Sequence, residues 1–137
     1  MPTATTILIV DDDPVTLQIL SASLRHQGYR VVTAMDAVQG LMAAHRNGPD
    51  AILLDVQLPG GGGLEALKKL KTNTRTQPIP VIGISASNDP TLPTRIAALG
   101  AEAFLSKPID LAGLSGALHR LLDQSSAGPG VASPVPG

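Results

Sequence analysis

The sequence predicts an α/β fold in which a parallel sheet is covered by helices on both faces. Short continuous apolar runs alternate five times with amphipathic helical patterns, several of them bounded by Pro, Asp or Gly. Continuous apolar strands indicate a sheet that is buried on both faces, and strand–helix alternation indicates parallel strands with right-handed crossovers. The 137 residues suffice for one such domain, which the cysteine-free chain must stabilise without disulfides.

The first two strand–helix units have clear boundaries. The apolar run at 7–10 predicts a strand, and the helix after it has Pro14 at its start and Gly28 just past its end. Residues 31–32 predict a second strand, and Asp36 is placed to cap a second helix. The predicted apolar stripe of that helix consists of Val38, Leu41, Met42 and His45.

Three further units complete the predicted sheet. Residues 51–54 predict a third strand, and four glycines at 60–63 lead to a helix with leucines facing inward and Lys68, Lys69 and Lys71 outward. Residues 80–84 predict a fourth strand, followed by a helix that two prolines should make short or loosely wound. Residues 103–105 predict a fifth strand, and the last helix carries Leu111, Leu114, Leu118, Leu121 and Leu122.

The predicted domain occupies residues 1–124. The segment 125–137 shows no periodicity and contains no large apolar residue, so we expect it to be a disordered tail or linker. The sequence leaves open whether this tail leads to a further domain.

The composition excludes several classes of function. Ten basic and eleven acidic residues give a net charge of −1, which provides no electrostatic reason to coat nucleic acid or an anionic membrane. Two aromatic residues cannot form a platform on which bases stack. No apolar run is long enough to cross a bilayer and the N-terminus lacks a signal-peptide pattern, so we expect a cytoplasmic protein with no membrane insertion and no direct nucleic-acid binding.

Polar groups follow four of the predicted strands at the point where each strand ends. They are the acids at 11–13, Asp55, Ser85 and Lys107. In a parallel sheet these ends meet at one edge, where ligand sites lie. Facing carboxylates repel one another unless a cation lies between them, and an all-oxygen donor set suits Mg²⁺. Together with an ammonium and a hydroxyl, they predict a site for phosphoryl transfer in which one Asp is the nucleophile.

Four motifs accompany these strand ends: Ile-Leu-Ile-Val-Asp-Asp-Asp-Pro at 7–14, Ile-Leu-Leu-Asp-Val-Gln-Leu-Pro-Gly at 52–60, Val-Ile-Gly-Ile-Ser-Ala at 81–86 and Phe-Leu-Ser-Lys-Pro at 104–108. In this order and spacing they resemble the receiver domain of two-component response regulators of the chemotaxis-regulator type. The resemblance implies a flavodoxin-like fold, with five parallel strands in the order 2-1-3-4-5 and five flanking helices.

The resemblance also implies a role for each site residue. Asp55 would be the residue that accepts the phosphoryl group. Asp11 and Asp12 would hold Mg²⁺ together with the Asp55 carboxylate and the backbone carbonyl of Gln57. Lys107 would pair with the phosphoryl group.

A switch and its partners follow from the same resemblance. Ser85 would move to hydrogen-bond the phosphoryl group, and Phe104 would change between exposed and buried rotamers, which repacks the face made by the fourth helix, fifth strand and fifth helix. The donor would be a phosphohistidine on a sensor histidine kinase or a histidine phosphotransfer protein, and a homodimer through that face is possible. The domain would assist its own phosphorylation and dephosphorylation without being a turnover enzyme.

Two alternatives stay open at this point. Asp11 and Asp13 also fit the Asp-x-Asp-x-Val motif of haloacid-dehalogenase-like phosphatases, although the chain has no room for a cap domain and Asp55 would have no role. Asp13 before Pro14 also fits a simple helix N-cap. The second alternative is a degenerate receiver that only binds partners, which the glycine loop favours because it departs from the family pattern beside Gln57.

Overall fold

The computed structural model describes residues 4–127, which form a five-stranded parallel sheet in the order 2-1-3-4-5. The predicted architecture and strand order are confirmed. The strands are β1 (Thr6–Val10), β2 (Arg30–Ala34), β3 (Ala51–Asp55), β4 (Val81–Ser85) and β5 (Ala103–Ser106). The helices are α1 (Pro14–His26), α2 (Ala37–Asn47), α3 (Gly62–Thr72), α4 (Leu92–Ala98) and α5 (Leu111–Ala127).

The two faces of the sheet carry separate apolar cores because strand side chains alternate in direction. Helices α1 and α5 cover one face, where Ile9, Leu53 and Ile84 pack with leucines of both helices. Helices α2, α3 and α4 cover the other face, where Val10 and Leu54 belong to the core. Every residue of β3 and β4 is buried, as the continuous apolar runs predict.

The helix boundaries agree with the capping residues in the sequence. The Asp13 and Asp36 side chains accept hydrogen bonds from the backbone N–H groups of Val15 and Gln39, at 3.0 Å and 2.8 Å. Helix α4 is only seven residues long, as its prolines predict. Among residues 4–127 no helix combines the length and the apolar character that a membrane span requires.

The end of the chain differs in detail from the prediction. Helix α5 continues to Ala127, so the start of the predicted tail at Ser125 falls within its last turn. The rest of the predicted tail, residues 128–137, lies outside the described residues.

The apolar stripe predicted on α2 is largely wrong. Val38 and Met42 are 67% and 51% exposed, and His45 is exposed as well. The buried residues of this helix are Gly40 and Ala44. A Cβ on Gly40 would lie 2.9 Å from the methyl groups of Val10, so the helix approaches β1 more closely than a larger side chain would allow.

The outward position predicted for Lys71 is also wrong. Its side chain is 7% exposed, and its Nζ donates to the carbonyl oxygens of Gln77 at 3.0 Å and Ile79 at 2.7 Å and to the Glu102 carboxylate at 2.9 Å. Lys71 lies in the last turn of α3, where its long side chain reaches the carbonyl oxygens of the loop before β4. It therefore ties α3, that loop and the start of β5 together.

The four glycines at 60–63 form an ordered connection from β3 into α3. Gly60 and Gly61 adopt positive φ angles of 70° and 74°, which glycine adopts readily. Gly62 and Gly63 begin α3. A Cβ on Gly63 would overlap the backbone of Asp55 and Val56, so the start of α3 packs directly against the end of β3.

Candidate functional site

Three carboxylates converge at the edge of the sheet where the strands end. Asp55 is the last residue of β3, and Asp11 follows β1 directly. These strands are neighbours, with Val10 in register with Leu54, so the two acids come next to each other. Asp12 contributes a third carboxylate, and one oxygen atom of each side chain lies within 4.8 Å of the other two. Asp11 and Asp55 are buried, whereas Asp12 is exposed.

Lys107 supplies the positive charge that faces this cluster. It follows β5 directly, and its Nζ lies 2.8 Å from Oδ2 of Asp11 and 3.1 Å from Oδ2 of Asp55. Burial alone would lower the pKa of the Lys107 ammonium, but the two carboxylates outweigh burial and raise that pKa above its usual value. Lys107 is therefore charged at neutral pH.

Asp11 carries a charge that its surroundings only partly balance. Burial raises the pKa of this carboxyl, although Lys107 and the backbone N–H of Asp13 oppose that shift. Oδ1 accepts the Asp13 N–H at 2.9 Å, but the buried Oδ2 has no hydrogen bond, because the short contact with Lys107 lacks hydrogen-bond geometry. A buried acceptor without a donor, in an all-oxygen cluster, fits coordination of a hard divalent cation such as Mg²⁺.

Gln57 connects the acidic cluster with Ser85. Its backbone N–H donates to Oδ1 of Asp55 at 2.8 Å, and its side-chain Oε1 accepts the Ser85 hydroxyl at 2.5 Å and the Ala86 N–H at 3.0 Å. Sequence reasoning assigned only the backbone carbonyl of Gln57 and missed the side chain. Its place two residues after Asp55 was the one available signal, since the sequence does not show which way the amide turns.

A series of local hydrogen bonds leads from Ser85 to α4. The Ser85 hydroxyl oxygen accepts the Ser87 N–H at 2.9 Å, the Ser87 hydroxyl oxygen accepts the Asp89 N–H at 3.0 Å, and the Asp89 carboxylate accepts the Thr91 N–H at 2.9 Å. Thr91 is the N-cap residue of α4. Sequence reasoning missed this series, although Ser and Asp side chains that bond two residues onward are a known turn signal.

Phe104 lies apart from the acidic cluster. It is a half-buried residue of β5, in register with Gly83 of β4, and it packs on the core that includes Leu92 and Ile96 of α4. The structure thus brings Asp11, Asp12, Asp55 and Lys107 together. Ser85 is hydrogen-bonded to Gln57, and Phe104 lies on the α4 side of the sheet.

Comparison with known proteins identifies the family. The sequence model of the family described as the response regulator receiver domain matches residues 7–119. The chain belongs to the response regulator receiver family. This receiver domain is 44% identical over 106 residues to the response regulator PleD of Caulobacter vibrioides, and 37% identical over 131 residues to the response regulator MprA of a Mycobacterium species. These matches cover 76% and 94% of the chain but only 23% and 55% of PleD and MprA, so the chain spans about half of MprA and less of PleD.

A solved structure agrees with this family. A CheY-like response regulator receiver domain protein from Methanospirillum hungatei superposes with a TM-score of 0.83 at 27% identity, covering 90% of this chain and 98% of that one. Receiver domains are switches of two-component signalling, and they generally bind Mg²⁺ through an acidic cluster such as the one that Asp11, Asp12 and Asp55 form here.

The phosphatase alternative finds little support in the position of Asp13. Its carboxylate caps α1, accepting the Val15 N–H at 3.0 Å and the Thr16 hydroxyl at 2.8 Å. The Thr16 hydroxyl and the Val15 N–H hold the pKa of this exposed carboxyl below its usual value. Asp13 is thus engaged as a helix cap, and it is not part of the three-carboxylate cluster.

Proposed function

We propose that this receiver domain accepts a phosphoryl group from a phosphohistidine donor onto Asp55, in a reaction that depends on Mg²⁺. The observation that carries the proposal is the position of the Asp55 carboxylate, buried at the end of β3 between an ammonium and two further carboxylates. A carboxylate nucleophile beside a fixed cation is the arrangement that phosphoryl transfer to Asp requires.

The residues around Asp55 prepare it for attack. The Gln57 N–H holds Oδ1, and Lys107 lies beside Oδ2, so the carboxylate is fixed at the edge of the sheet. An oxygen of Asp55 would form a bond to phosphorus while the bond between phosphorus and the donor imidazole nitrogen breaks, and the imidazole would keep that electron pair. The ammonium of Lys107 would then neutralise charge on the phosphoryl oxygens.

The carboxylates of Asp11, Asp12 and Asp55 would hold Mg²⁺, with the backbone carbonyl of Gln57 as a further oxygen donor. The bound ion would supply positive charge next to the transferring phosphoryl group. The buried Oδ2 of Asp11 supports this assignment because it faces the Lys107 ammonium but accepts no hydrogen bond, which leaves it available to coordinate a cation.

Phosphorylation would then switch the surface of the domain. Ser85 would hydrogen-bond the new phosphoryl group, and Phe104 would respond by changing rotamer on the face made by α4, β5 and α5. We propose a sensor histidine kinase or a histidine phosphotransfer protein as the donor, and a homodimer through this face. The domain would act in the cytoplasm without binding nucleic acid directly, and would catalyse only its own phosphorylation and dephosphorylation.

Intact-mass spectrometry after incubation with acetyl phosphate and Mg²⁺ tests the proposal. The wild type is expected to gain one phosphoryl group, and Asp55→Asn none. Asp50→Asn is the matched control, since Asp50 lies next to the opposite end of the same strand and should leave the gain unchanged. An undiminished gain in Asp55→Asn would contradict the assignment.

Two control experiments address the alternatives. Steady hydrolysis of p-nitrophenyl phosphate that is lost in Asp11→Asn and retained in Asp55→Asn would favour a phosphatase instead. Absence of Mg²⁺ binding by calorimetry, together with no mass gain, would indicate a degenerate receiver that only binds partners.

A further inference from the structure

The side-chain oxygen of Gln57 occupies a site with two hydrogen-bond donors. The Ser85 hydroxyl and the Ala86 N–H both point at Oε1, at 2.5 Å and 3.0 Å. Two donors from adjacent residues that converge on one oxygen atom resemble the arrangement that stabilises an anionic oxygen. In the resting domain that oxygen belongs to an amide of the protein itself.

The two partners differ in burial, which makes the contact exchangeable. Ser85 is fully buried, whereas Gln57 is exposed. A buried hydroxyl must keep an acceptor, while an exposed amide can turn into water and form hydrogen bonds there. Ser85 therefore has to exchange the amide oxygen for another acceptor, whereas the released Gln57 amide can form hydrogen bonds with water.

Gln57 also contacts the phosphoryl-accepting residue, Asp55, directly. Its backbone N–H donates to Oδ1 of Asp55, so a single residue bonds the phosphoryl-accepting carboxylate through its main chain and the switch hydroxyl through its side chain. A phosphoryl group on Asp55 would bring new acceptor oxygens next to the strand end from which Ser85 projects, since Asp55 is in register with Ile84, the residue before Ser85.

We propose that the Gln57 side chain is a latch that holds Ser85 and Ala86 in the resting state and is displaced by a phosphoryl oxygen. This inference rests on the proposed function and adds a positioning residue to it. The phosphoryl group competes with the Gln57 amide for the same two donors, so Gln57 lowers the affinity of the site for the phosphorylated state and favours the resting one.

Fluoroberyllate with Mg²⁺, an inorganic mimic of the phosphoryl group, tests the competition. Gln57→Met keeps a side chain of similar length but removes the amide oxygen, and it is expected to bind the mimic about threefold to tenfold more tightly, the effect of one net hydrogen bond. Gln39→Met on the exposed face of α2 is the matched control and should match the wild type. In a Ser85→Ala background the gain from Gln57→Met should fall to about twofold or less, because the main donor is gone.

A second measurement detects the hydrogen bond from Ala86 to Gln57 in the absence of metal and phosphoryl mimic. In the NMR spectrum of the resting domain, the Ala86 amide proton should shift upfield and exchange faster in Gln57→Met, while the Gln39→Met spectrum keeps both properties. A thermal melt confirms that each variant is folded.

The possible failures are distinguishable. A wild type that does not bind fluoroberyllate, or that binds it no better than Asp55→Asn, would overturn the proposed function and the latch with it. A wild type that binds, together with a Gln57→Met variant of unchanged affinity, would overturn the latch alone. An equal gain from Gln57→Met with and without the Ser85 hydroxyl would also overturn it, since the effect would then not pass through Ser85.

Discussion

The Nζ of Lys107 lies 2.8 Å from Oδ2 of Asp11, a carboxylate with no exposed surface, yet this ion pair does not cancel the cost of burying Asp11. Burial remains the largest influence and raises the pKa of the Asp11 carboxyl above its ordinary 3.8. The resting site therefore holds a charge that destabilises the fold, which is the expected state of a site prepared for a cation.

Removing the Asp11 charge is expected to stabilise the metal-free domain. Because the folded-state pKa is raised, the contribution of this group to stability is present below the unfolded pKa and is lost as pH rises through the folded pKa. In EDTA at neutral pH, Asp11→Asn should therefore raise the free energy of unfolding by about 1 kcal/mol, and the difference should shrink in acid. Urea denaturation at several pH values measures both effects.

In the presence of Mg²⁺ the wild type should become more stable than Asp11→Asn. The ion should stabilise the wild type and leave Asp11→Asn unchanged, since a ligand that binds only the folded state adds to stability. Asp12→Asn is the control, because this exposed acid should lose the Mg²⁺ effect without gaining stability in EDTA. An Asp11→Asn variant less stable than the wild type in EDTA at neutral pH would show that the ion pair with Lys107 outweighs burial.

Lys71 is expected to stabilise the fold from the opposite end of the sheet. Its side chain is 7% exposed, and its ammonium donates to two loop carbonyls and to Glu102, whose other oxygen accepts the Val81 N–H at 2.8 Å. Lys71→Met should lower the free energy of unfolding by about 2 kcal/mol, since three acceptors lose a charged donor while the exposed Glu102 carboxylate can be hydrated. Lys69→Met, at an exposed position of the same helix, should change it little.

The same Lys71→Met variant should accept a phosphoryl group from acetyl phosphate as the wild type does. Lys71 contacts residues that precede β4 and β5, whereas the acidic cluster follows β1 and β3. Equal unfolding free energies for Lys71→Met and Lys69→Met would contradict the structural role of the buried ammonium.

The five buried strands and the converging acids were predictable because they depend on simple patterns. Continuous apolar runs define buried strands whatever their detailed packing, and the ends of parallel strands meet at one edge by geometry. Asp11, Asp55 and Lys107 therefore come together as expected. The resemblance to a known family supplied the strand order that the alternation alone left open.

The remaining features depend on distances that a sequence pattern does not contain. The buried face of α2 follows from the close approach of Gly40 to Val10, and small residues carry no apolar signal. The burial of Lys71 depends on carbonyl oxygens in a loop six to eight residues away. The hydrogen bond between Gln57 and Ser85 depends on a side-chain rotamer, whereas the sequence shows only that Gln57 follows β3 and that Ser85 ends β4.

Thr91 is expected to control the titration of Asp89 at the start of α4. The Thr91 hydroxyl, 2.7 Å from Oδ1 of Asp89, and then the Thr91 N–H hold the pKa of this exposed carboxyl below 3.8. In Thr91→Val the NMR titration midpoint of Asp89 should rise toward 3.8, while Thr94→Val, on the exposed surface of α4, should leave it unchanged. With a lowered folded pKa, any stabilisation by Asp89 is present above the unfolded pKa and is lost as pH falls through the folded one.

Arg95 provides the competing explanation for that shift, since it forms an ion pair with Asp89 at 3.2 Å. Raising the salt concentration screens an exposed ion pair but leaves a local hydrogen bond largely intact. A midpoint that is unchanged in Thr91→Val but rises in salt would assign the shift to Arg95.

The close contact between α3 and β3 makes Gly63 the least replaceable of the four glycines at 60–63. A Cβ there would overlap the carbonyl of Asp55 and the backbone of Val56, and backbone atoms cannot move aside as a flexible side chain can. Gly63→Ala should therefore lower the free energy of unfolding by about 2 kcal/mol or more and reduce phosphorylation by acetyl phosphate, because it displaces the end of the strand that carries Asp55. Gly62→Ala is the matched control, since its Cβ would meet the side chains of Ala37 at 3.3 Å and Leu58 at 3.9 Å and no backbone atom. Equal phosphorylation of the two variants would show that the start of α3 does not position Asp55.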